Sequence, residues 1–315
     1  MIYTKDQAFQ APISPTRSSL AGTVIGLDIG GTKTHGVRFH NGQAVQETIT
    51  GSANVQNVSL ETARANLGEL FRELGHSPVD RVCVGAGGID TAHDADELSA
   101  LIAPFVPEAR ITVVHDSRLL LAAGQVSTGV AVIAGTGSAA WGRNPRGDES
   151  RAGGWGYLLG DEGSGYWIGR EAVRHSLRRM NQGHQPDPLT RALLSASDLT
   201  EPSQLIALFH SIGTGRRFWA QQARLVVDAA EAGHAPSRRI LEQAGIDLAD
   251  LTSQTLSQLG ISGPVILGGG LGMHVPRLQS AFRDALANKG ITDVRPVTQD
   301  PVYGVTHLLS EPGSS

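Results

Sequence analysis

Two glycine-rich turns contain residue types that bind phosphate and metal ions. The first lies in GLDIGGTKT (residues 26–34), and its residues are Gly30, Gly31, Thr32 and Lys33. Glycine lets the backbone approach an anion, the threonine and the lysine add donors, and Asp28 could hold Mg²⁺ through water. A hairpin pattern follows, whereas a P-loop requires a helix. For this turn alone, a plain β-turn is the simpler interpretation.

The second turn has the same character and consists of Gly135, Thr136, Gly137 and Ser138. A third cluster consists of Gly268, Gly269 and Gly270. All three clusters follow apolar runs that read as strands, and open α/β sheets present ligands at the carboxyl ends of their strands. Two such turns from two lobes could hold a polyphosphate from both sides, so we predict a binding site for a nucleoside triphosphate. The alternative is that the three clusters are unrelated turns.

Asp116, in HDSRLLLAAG (residues 115–124), is the candidate catalytic carboxylate. It follows the apolar run 111–114 and precedes the helix-like run 119–123. A carboxylate at a strand end could accept the proton of an alcohol that attacks a phosphoryl group. The alternative is an N-cap, because aspartate is among the preferred capping residues.

The apolar spacing predicts the elements that position these residues. The predicted strands lie at 24–28, 34–39, 44–49, 81–84, 111–115, 130–133, 139–143 and 265–267. The predicted helices lie at 60–74, 94–102, 166–179, 204–210, 217–230, 237–259 and 275–286. Asp94 and Glu97 have the spacing of a capping box, and Asn41-Gly42 supplies the positive backbone angles of a tight hairpin.

The second half of the chain repeats the order of the first from Val130 onward. A strand, a glycine-threonine turn, a second strand and a hairpin turn at residues 144–147 follow one another again, which predicts an internal duplication. We therefore expect two α/β lobes with a cleft between them. The predicted domains are a loose tail at 1–20, an N-terminal lobe at 21–128 and a C-terminal lobe with a helical insertion at 129–315.

The composition narrows the class of partner. The chain has 315 residues and a net charge of −4, so it has no excess of basic residues for nucleic acid, and small molecules fit better. The first twenty residues contain no apolar run, so we predict neither a secretory signal nor a membrane span there. Cys83 is the single cysteine, which excludes an internal disulfide and favours a reducing cytoplasm. We expect it to be a small buried residue in a strand.

The chain resembles the BadF/BadG/BcrA/BcrD ATPase family, and within it the bacterial and animal N-acetylglucosamine kinases. Matching segments run from Gly26 to about Leu309, and the densest is AGGWGYLLGDEGSGYWIG (residues 152–169). The resemblance implies an α/β, two-lobed, duplicated actin-like ATPase (ribonuclease H-like) fold, with ATP and Mg²⁺ as cofactors and a homodimer as the assembly. It places phosphates at the first two glycine turns, adenosine at the third cluster, and the catalytic aspartate at Asp116.

The same resemblance implies a sugar site. The positions that it assigns to the sugar are Asn54, Gly87, Asp116, Ser138, Gly154, Trp155, Gly156 and Asp161. Without the family, Trp155 would read as a core residue, and Asp161 or Glu162 as a cap for the helix that begins near Ser164. The chain departs from the animal kinases at Ala86, where they have serine, and at Ala139 and Ala140, where they have asparagine and cysteine. These departures concern the sugar pocket and leave the identity of the sugar open.

The predicted function is ATP-dependent transfer of the γ-phosphoryl group to the 6-hydroxyl of an amino sugar, with N-acetylglucosamine as the leading substrate. Glucosamine and N-acetylmuramic acid are alternatives. A dehydratase-activating ATPase would need a Cys₄ iron–sulfur cluster, and a dimer with Cys83 alone has only two thiolates. The single cysteine likewise excludes the cysteine-rich zinc motif of related repressors and kinases. A non-catalytic nucleotide-binding regulator is the remaining competitor.

Overall fold

The computed structural model describes residues 21–89, 91–211 and 214–310 of the chain. The tail predicted at residues 1–20 lies outside the described residues, as do the last five positions of the predicted second lobe. The proposed domain boundary between residues 128 and 129 stays a prediction.

The first half of the chain forms a five-stranded sheet. Its strands are β1 (Thr23–Ile29), β2 (Lys33–His40), β3 (Gln43–Gly51), β4 (Arg81–Ala86) and β5 (Arg110–His115). Strands β1 to β3 are antiparallel neighbours, and β4 and β5 continue the sheet parallel to β1, in the order β3-β2-β1-β4-β5. The turn between β2 and β3 has φ angles of 49° at Asn41 and 79° at Gly42, as predicted for this pair.

The second sheet repeats the first. Its strands are β6 (Gly129–Ala134), β7 (Ser138–Arg143), β8 (Glu149–Gly153), β9 (Val265–Gly268) and β10 (Val294–Pro296). Strands β6 to β8 are antiparallel neighbours, and β9 and β10 run parallel to β6, in the order β10-β9-β6-β7-β8. Because strand order and direction match those of the first sheet, the predicted duplication is confirmed.

Helices cover the sheets and fill the long connection between β8 and β9. The helices of the first half are α1 (Leu60–Glu73), α2 (Ala92–Ile102) and α3 (Asp116–Ala123). Those between β8 and β9 are α4 (Gly165–Asn181), α5 (Pro188–Ala196), α6 (Gln204–Phe209), α7 (Arg216–Gln221), α8 (Ala223–Glu231) and α9 (Ala235–Leu259). The last three are α10 (Gly269–His274), α11 (Pro276–Ala287) and α12 (Val305–Leu308).

Three details of the predicted helices are wrong. The capping box of α2 pairs Thr91 with Asp94, because the Thr91 hydroxyl accepts the Asp94 N–H and the Asp94 carboxylate accepts the Thr91 N–H. The predicted capping box between Asp94 and Glu97 is therefore wrong. The predicted helix 217–230 is two helices that meet at Gln222. Helix α5, which starts after the capping residue Asp187, was not predicted from the apolar spacing of the sequence.

Helix α3 packs between the two sheets. Its Leu119 and Ala122 belong to an apolar cluster with residues of β1, β2 and β4. Its Leu120 and Leu121 belong to another cluster with residues of β6, β7 and β9. Adjacent side chains of α3 thus pack against opposite sheets. This packing fixes the position of the helix and, with it, that of Asp116 in its first turn.

The end of the described chain returns to the first sheet. Val302, in a 3₁₀ turn over Pro301–Gly304, and Val305 and Leu308 of α12 pack in the cluster that contains Leu119. Gly304 lies so close to α3 that an added Cβ would be 2.5 Å from the Leu119 carbonyl oxygen. This segment therefore holds α3 from the side of the first sheet.

The single cysteine lies where the sequence predicted it. Cys83 is fully buried in β4, as predicted, and burial raises the pKa of its thiol to about 12. Within the described part of the chain, none of the helices combines the length and the apolar composition needed to cross a lipid bilayer.

Candidate functional site

The first glycine turn joins β1 to β2 and leaves backbone donors unused. The Gly30 N–H donates to the Lys33 carbonyl at 3.0 Å, and the Ser52 hydroxyl donates to the Gly30 carbonyl at 2.7 Å. Within the described residues, the N–H groups of Gly31 and Thr32 donate to no other protein atom. Successive free amides at a turn form a concave site for an anion.

The second glycine turn has the same arrangement between β6 and β7. The Gly135 N–H donates to the Gly137 carbonyl at 2.9 Å, and the Gly135 carbonyl accepts the Gly165 N–H of α4 at 2.8 Å. In the part of the chain that the structure describes, the N–H groups of Thr136 and Gly137 are not bonded to protein. Helix α4 thus anchors the outer side of the turn and leaves two inner amides available.

An arginine that the sequence analysis missed lies directly on this second turn. Arg216, at the start of α7, places its Nη2 1.9 Å from the position that a Cβ on Gly137 would occupy. Its Nη2 donates to the Asp161 carboxylate at 2.7 Å. The Arg216 Nε is buried and has no hydrogen-bond partner among the described residues. A buried guanidinium N–H without a partner, beside two free amides, fits a site for an anion.

The Asp161 carboxylate is the ion-pair partner that positions Arg216. The Asp161 side chain is 2% exposed and the φ of this residue is +63°, a conformation that few residues other than glycine adopt. Burial raises the pKa of Asp161, and the charge of Arg216 opposes this shift. The alternative reading of Asp161 or Glu162 as a helix cap is wrong, because the Ser164 hydroxyl caps α4 by accepting the Trp167 N–H at 3.1 Å.

The carboxyl edge of the first sheet brings Asn54, Gly87 and Asp116 together. Asn54 Nδ2 donates to the Gly87 carbonyl at 3.0 Å. An added Cβ on Gly87 would lie 3.2 Å from Asp116 Oδ2 and 3.7 Å from Asn54 Nδ2. Only glycine leaves this space open, so the Asp116 carboxylate borders a small polar recess.

Asp116 is the first residue of α3, and its neighbour His115 is the N-cap. His115 Nδ1 accepts the Ser117 N–H at 3.3 Å, so the alternative reading of Asp116 as the cap is wrong. His115 Nδ1 also lies 3.1 Å from Asp116 Oδ1. The positive end of the helix dipole favours a negative charge at this first turn.

Asp28 lies on β1 beside the same recess. Burial, and after it the charge of Asp116, raise the pKa of Asp28 to about 7, while the charge of His35 opposes the shift. Two carboxylates that repel each other next to unused phosphate-binding amides form a set of hard oxygen donors, which suits Mg²⁺. The residues therefore fit the metal that the family implies.

A second unexpected residue, Asp300, joins the first turn and β2 to the segment that precedes α12. His35 is 2% exposed, and its Nδ1 lies 2.9 Å from Asp300 Oδ2 while its Nε2 lies 3.2 Å from Glu47 Oε1. Lys33 Nζ lies 3.8 Å from the same Asp300 oxygen. The Tyr303 hydroxyl donates to Glu47 at 2.6 Å. These contacts fix the β2 side of the first turn.

The third glycine cluster lies at the carboxyl end of β9, next to the end of β6. Gly268 ends β9, and Gly269 and Gly270 begin α10. Gly269 has a φ of +80°, and a Cβ there would lie 2.5 Å from the Ala134 carbonyl oxygen of β6. An added Cβ on Gly270 would meet no atom within 4 Å. Gly269 thus permits close packing, whereas Gly270 presents an open surface.

The loop after β8 is exposed and apolar. Trp155 is 58% exposed, so its reading as a core residue is wrong. The Arg151 guanidinium lies 4.8 Å from the centre of the Trp155 ring. Gly154 and Gly156 on either side have φ angles of +72° and +82°. A flat aromatic surface between two glycines is suited to contact a sugar's carbon face, and the role of these residues stays a prediction.

Sequence reasoning found the glycine turns because their composition is unusual, and missed residues that reach the turns from elsewhere. Arg216 is fifty-five positions from Asp161 in the chain, and Asp300 lies far from Lys33. Neither has a local motif around it. One signal was available: the turn at residues 135–138 contains no positively charged residue, so a cation for a bound phosphate had to come from elsewhere in the chain.

The two matching sheets define an α/β protein with the duplicated actin-like ATPase fold, and the predicted fold class is confirmed. The chain belongs to the BadF/BadG/BcrA/BcrD ATPase family, whose profile matches residues 25–306. The resemblance found in the sequence is therefore confirmed.

Individual relatives support this placement. The chain is 31% identical over 274 residues to an N-acetylmuramic acid/N-acetylglucosamine kinase of Clostridium acetobutylicum, with 84% of this chain and 90% of the relative covered. It is 31% identical over 268 residues to an N-acetyl-D-glucosamine kinase of Dictyostelium discoideum, with 78% and 84% covered. A solved structure of a candidate N-acetylglucosamine kinase from Chromobacterium violaceum is 26% identical, with a TM-score of 0.73 and with 92% and 99% covered.

We expect Asp300→Asn to destabilise the fold in a pH-dependent way. The hydrogen bond from His35 and the charge of Lys33 hold the pKa of Asp300 below its usual range. A lowered pKa stabilises the fold above the ordinary carboxyl pKa, and this contribution disappears as the pH falls through the folded-state value. The expected loss at pH 7 is on the order of 1 kcal/mol, because the side chain is partly exposed and screened.

Denaturant unfolding from pH 7 down to pH 3 measures this effect. The difference between wild type and Asp300→Asn should shrink toward the acid end. Asp96→Asn is the matched control, since it removes the same charge from an exposed position on α2 away from His35 and the first turn. An Asp300→Asn deficit that stays constant across this pH range would contradict the expectation.

Proposed function

We propose that this chain is an ATP-dependent sugar kinase that phosphorylates the 6-hydroxyl of an amino sugar, with N-acetylglucosamine as its substrate. The observation that carries the proposal is the polar recess in which Asp116 Oδ2, Asn54 Nδ2 and Gly87 meet at the edge of the first sheet. The charge of Asp116 acts on Asp28, which is two residues before the first glycine turn. The names of the relatives from Clostridium acetobutylicum and Dictyostelium discoideum support the same substrate class.

In the proposed reaction, Asp116 accepts the proton of the sugar hydroxyl as its oxygen attacks the γ-phosphorus of ATP. The bond between that phosphorus and the bridging oxygen breaks, and ADP leaves with the electron pair. The dipole of α3 favours the ionised form of Asp116 that this step requires. Mg²⁺, held by Asp28 through water, would neutralise phosphate charge.

The nucleotide contacts follow from the free backbone donors. Gly31 and Thr32 of the first turn, and Thr136 and Gly137 of the second, would donate to phosphate oxygens, with Lys33 and Arg216 as the cations. The open side of Gly270 would lie against adenosine. The sugar would lie between Asn54, Gly87 and Asp116 on one side and Ser138, Gly154–Gly156 and Asp161 on the other.

The sugar itself is the least constrained part of the proposal. N-acetylmuramic acid is a second candidate, because it stands beside N-acetylglucosamine in the name of the Clostridium relative. Of the three departures from the animal kinases, Ala86 and Ala140 are packed in the apolar cores of the two sheets, and Ala139 alone among these three is partly exposed. Glucosamine remains a third. We further propose a cytoplasmic homodimer.

The test is ADP release from ATP and Mg²⁺ with each of five sugars: N-acetylglucosamine, N-acetylmuramic acid, glucosamine, N-acetylmannosamine and glucose. We expect the highest kcat/KM with N-acetylglucosamine, and proton-coupled phosphorus NMR of the product should place the phosphate on the 6-oxygen. If the protein binds ATP but none of the sugars stimulates ADP release, the kinase proposal is wrong and a non-catalytic nucleotide-binding regulator is the better assignment.

We predict that Asp116→Asn lowers kcat by about 10²–10⁴-fold, because it removes the proton acceptor and keeps the shape of the side chain. ATP affinity should change little, since the carboxylate faces the sugar recess. Asp96→Asn, an exposed aspartate on α2, is the control and should retain full kcat. The role assigned to Asp116 is wrong if the variant keeps a substantial share of wild-type turnover.

We predict that Arg216→Gln weakens ATP binding by about ten- to a hundredfold, the worth of one charge-assisted hydrogen bond to phosphate. Calorimetry with ATP in the absence of sugar measures this directly. Arg217→Gln removes the same charge from the exposed neighbouring position and should bind ATP like the wild type. Equal affinity of both variants would show that Arg216 only supports Asp161.

A further inference from the structure

A cluster of two histidines and an aspartate lies on the helices between β8 and β9, apart from the glycine turns. His175 is on α4, Asp187 precedes α5, and His234 precedes α9. His175 is ten residues along α4 from Gly165, which contacts the second turn, and this corresponds to about 15 Å of helix. The cluster is therefore a separate feature of the molecule.

Both imidazoles converge on one carboxylate oxygen. His175 Nε2 lies 2.7 Å and His234 Nε2 lies 2.9 Å from Asp187 Oδ2. One ligand atom from each residue lies within 4.8 Å of the others, and all three side chains are largely buried. We propose that His175, Asp187 and His234 bind a divalent transition-metal ion, with Zn²⁺ as the best match.

The donor set suits zinc. Two imidazole nitrogens and one carboxylate oxygen are common Zn²⁺ ligands, and water supplies a fourth position where solvent can enter. Ligand atoms around a tetrahedral zinc lie roughly 3.3 Å apart. The present separations of 2.7 and 2.9 Å need an opening of only a few tenths of an ångström, which side-chain rotation provides.

Neighbouring groups prepare two of the ligands. His234 Nδ1 lies 2.8 Å from the hydroxyl of Ser237, which is fully buried. When Nδ1–H donates a hydrogen bond to that hydroxyl, Nε2 carries the lone pair and can bind the metal, which is the usual support of a metal-bound histidine. Asp187 Oδ1 accepts the Thr190 N–H at 2.9 Å, which caps α5 and leaves Oδ2 as a single-oxygen ligand.

Arg179 limits the affinity of this site. Its Nε lies 3.4 Å from Asp187 Oδ2, and its Nη2 donates to the Gln185 carbonyl at 2.9 Å. The positive charge of the guanidinium would repel a bound cation and so weaken metal binding. The guanidinium contacts neither histidine Nε2, so both nitrogens stay available as ligands. A bound metal would tie α4 to the starts of α5 and α9, so we expect a structural ion that stabilises these helices.

The test uses the tag-free full chain after treatment with a chelator, titrated with ZnCl₂ and separately with MgCl₂. Calorimetry should give one equivalent of Zn²⁺ and none of Mg²⁺ at this cluster. A hundredfold excess of Zn²⁺ over its dissociation constant should raise the unfolding midpoint by about 5 °C. His234→Ala and Asp187→Asn should abolish both effects, and the asparagine retains the cap of α5.

His93→Ala is the matched control, because His93 is an exposed histidine on α2 that pairs with Glu97 and is not part of the cluster. It should bind Zn²⁺ like the wild type. If a variant fails to fold, nitrogen-15 NMR of the wild-type histidines decides: Zn²⁺ should move the His175 and His234 Nε2 signals and leave His93 unchanged. Absence of stoichiometric Zn²⁺ binding, or binding that survives in both cluster variants, overturns the proposal in favour of a metal-free hydrogen-bonded link.

Discussion

The packing of α3 between two copies of the same sheet is the constraint on which the candidate site depends. The backbone comes very close to this helix at Gly304, and Gly124 just after its end packs on Ile266 of β9. Gly268 of β9 similarly leaves room for Leu120, to which an added Cβ would come within 2.5 Å. Because each of these positions excludes a larger side chain, α3 can shift little without loss of apolar contact on one face or the other. Asp116 inherits that fixed position.

A fixed carboxylate matters because proton transfer and charge balance both depend on position. Asp116 stands at the positive end of α3, next to the electrostatically coupled Asp28. Burial and mutual repulsion would by themselves favour protonation of Asp28 near neutral pH. Bound cations shift that balance toward the ionised pair, so the recess is poised to take up a positively charged or metal-bearing ligand.

The sequence predicted the repeated architecture well, because strand and turn composition is local. The Asn41-Gly42 hairpin, the two glycine-threonine turns and the buried Cys83 could each be identified from a few adjacent residues. The start of α2 could not, because Thr91 and Glu97 both offer plausible partners for Asp94 and only the backbone path selects one.

Long-range partners were the least predictable. Arg216 contacts Asp161 through the folding of the helices between them, and no spacing rule links the two positions. The readings of Trp155 as core and Asp161 as a cap failed for a related reason. Both follow from average preferences of the residue types, whereas the structure exposes the tryptophan and buries the aspartate beneath an arginine.

The two glycine turns have diverged in how they obtain positive charge, although their backbones correspond. The first carries Lys33 within the turn, half exposed and 3.8 Å from Asp300, so this cation can move to a ligand. The cation at the second turn is Arg216, which comes from α7 and lies 2.7 Å from the buried Asp161 carboxylate in a partly buried ion pair. Rigid placement reduces the entropy lost when a phosphate binds, whereas a mobile lysine can follow a group that changes position during transfer. In the proposed reaction, the second turn would therefore bind the part of the nucleotide that stays, and the first would bind the phosphoryl group that is transferred.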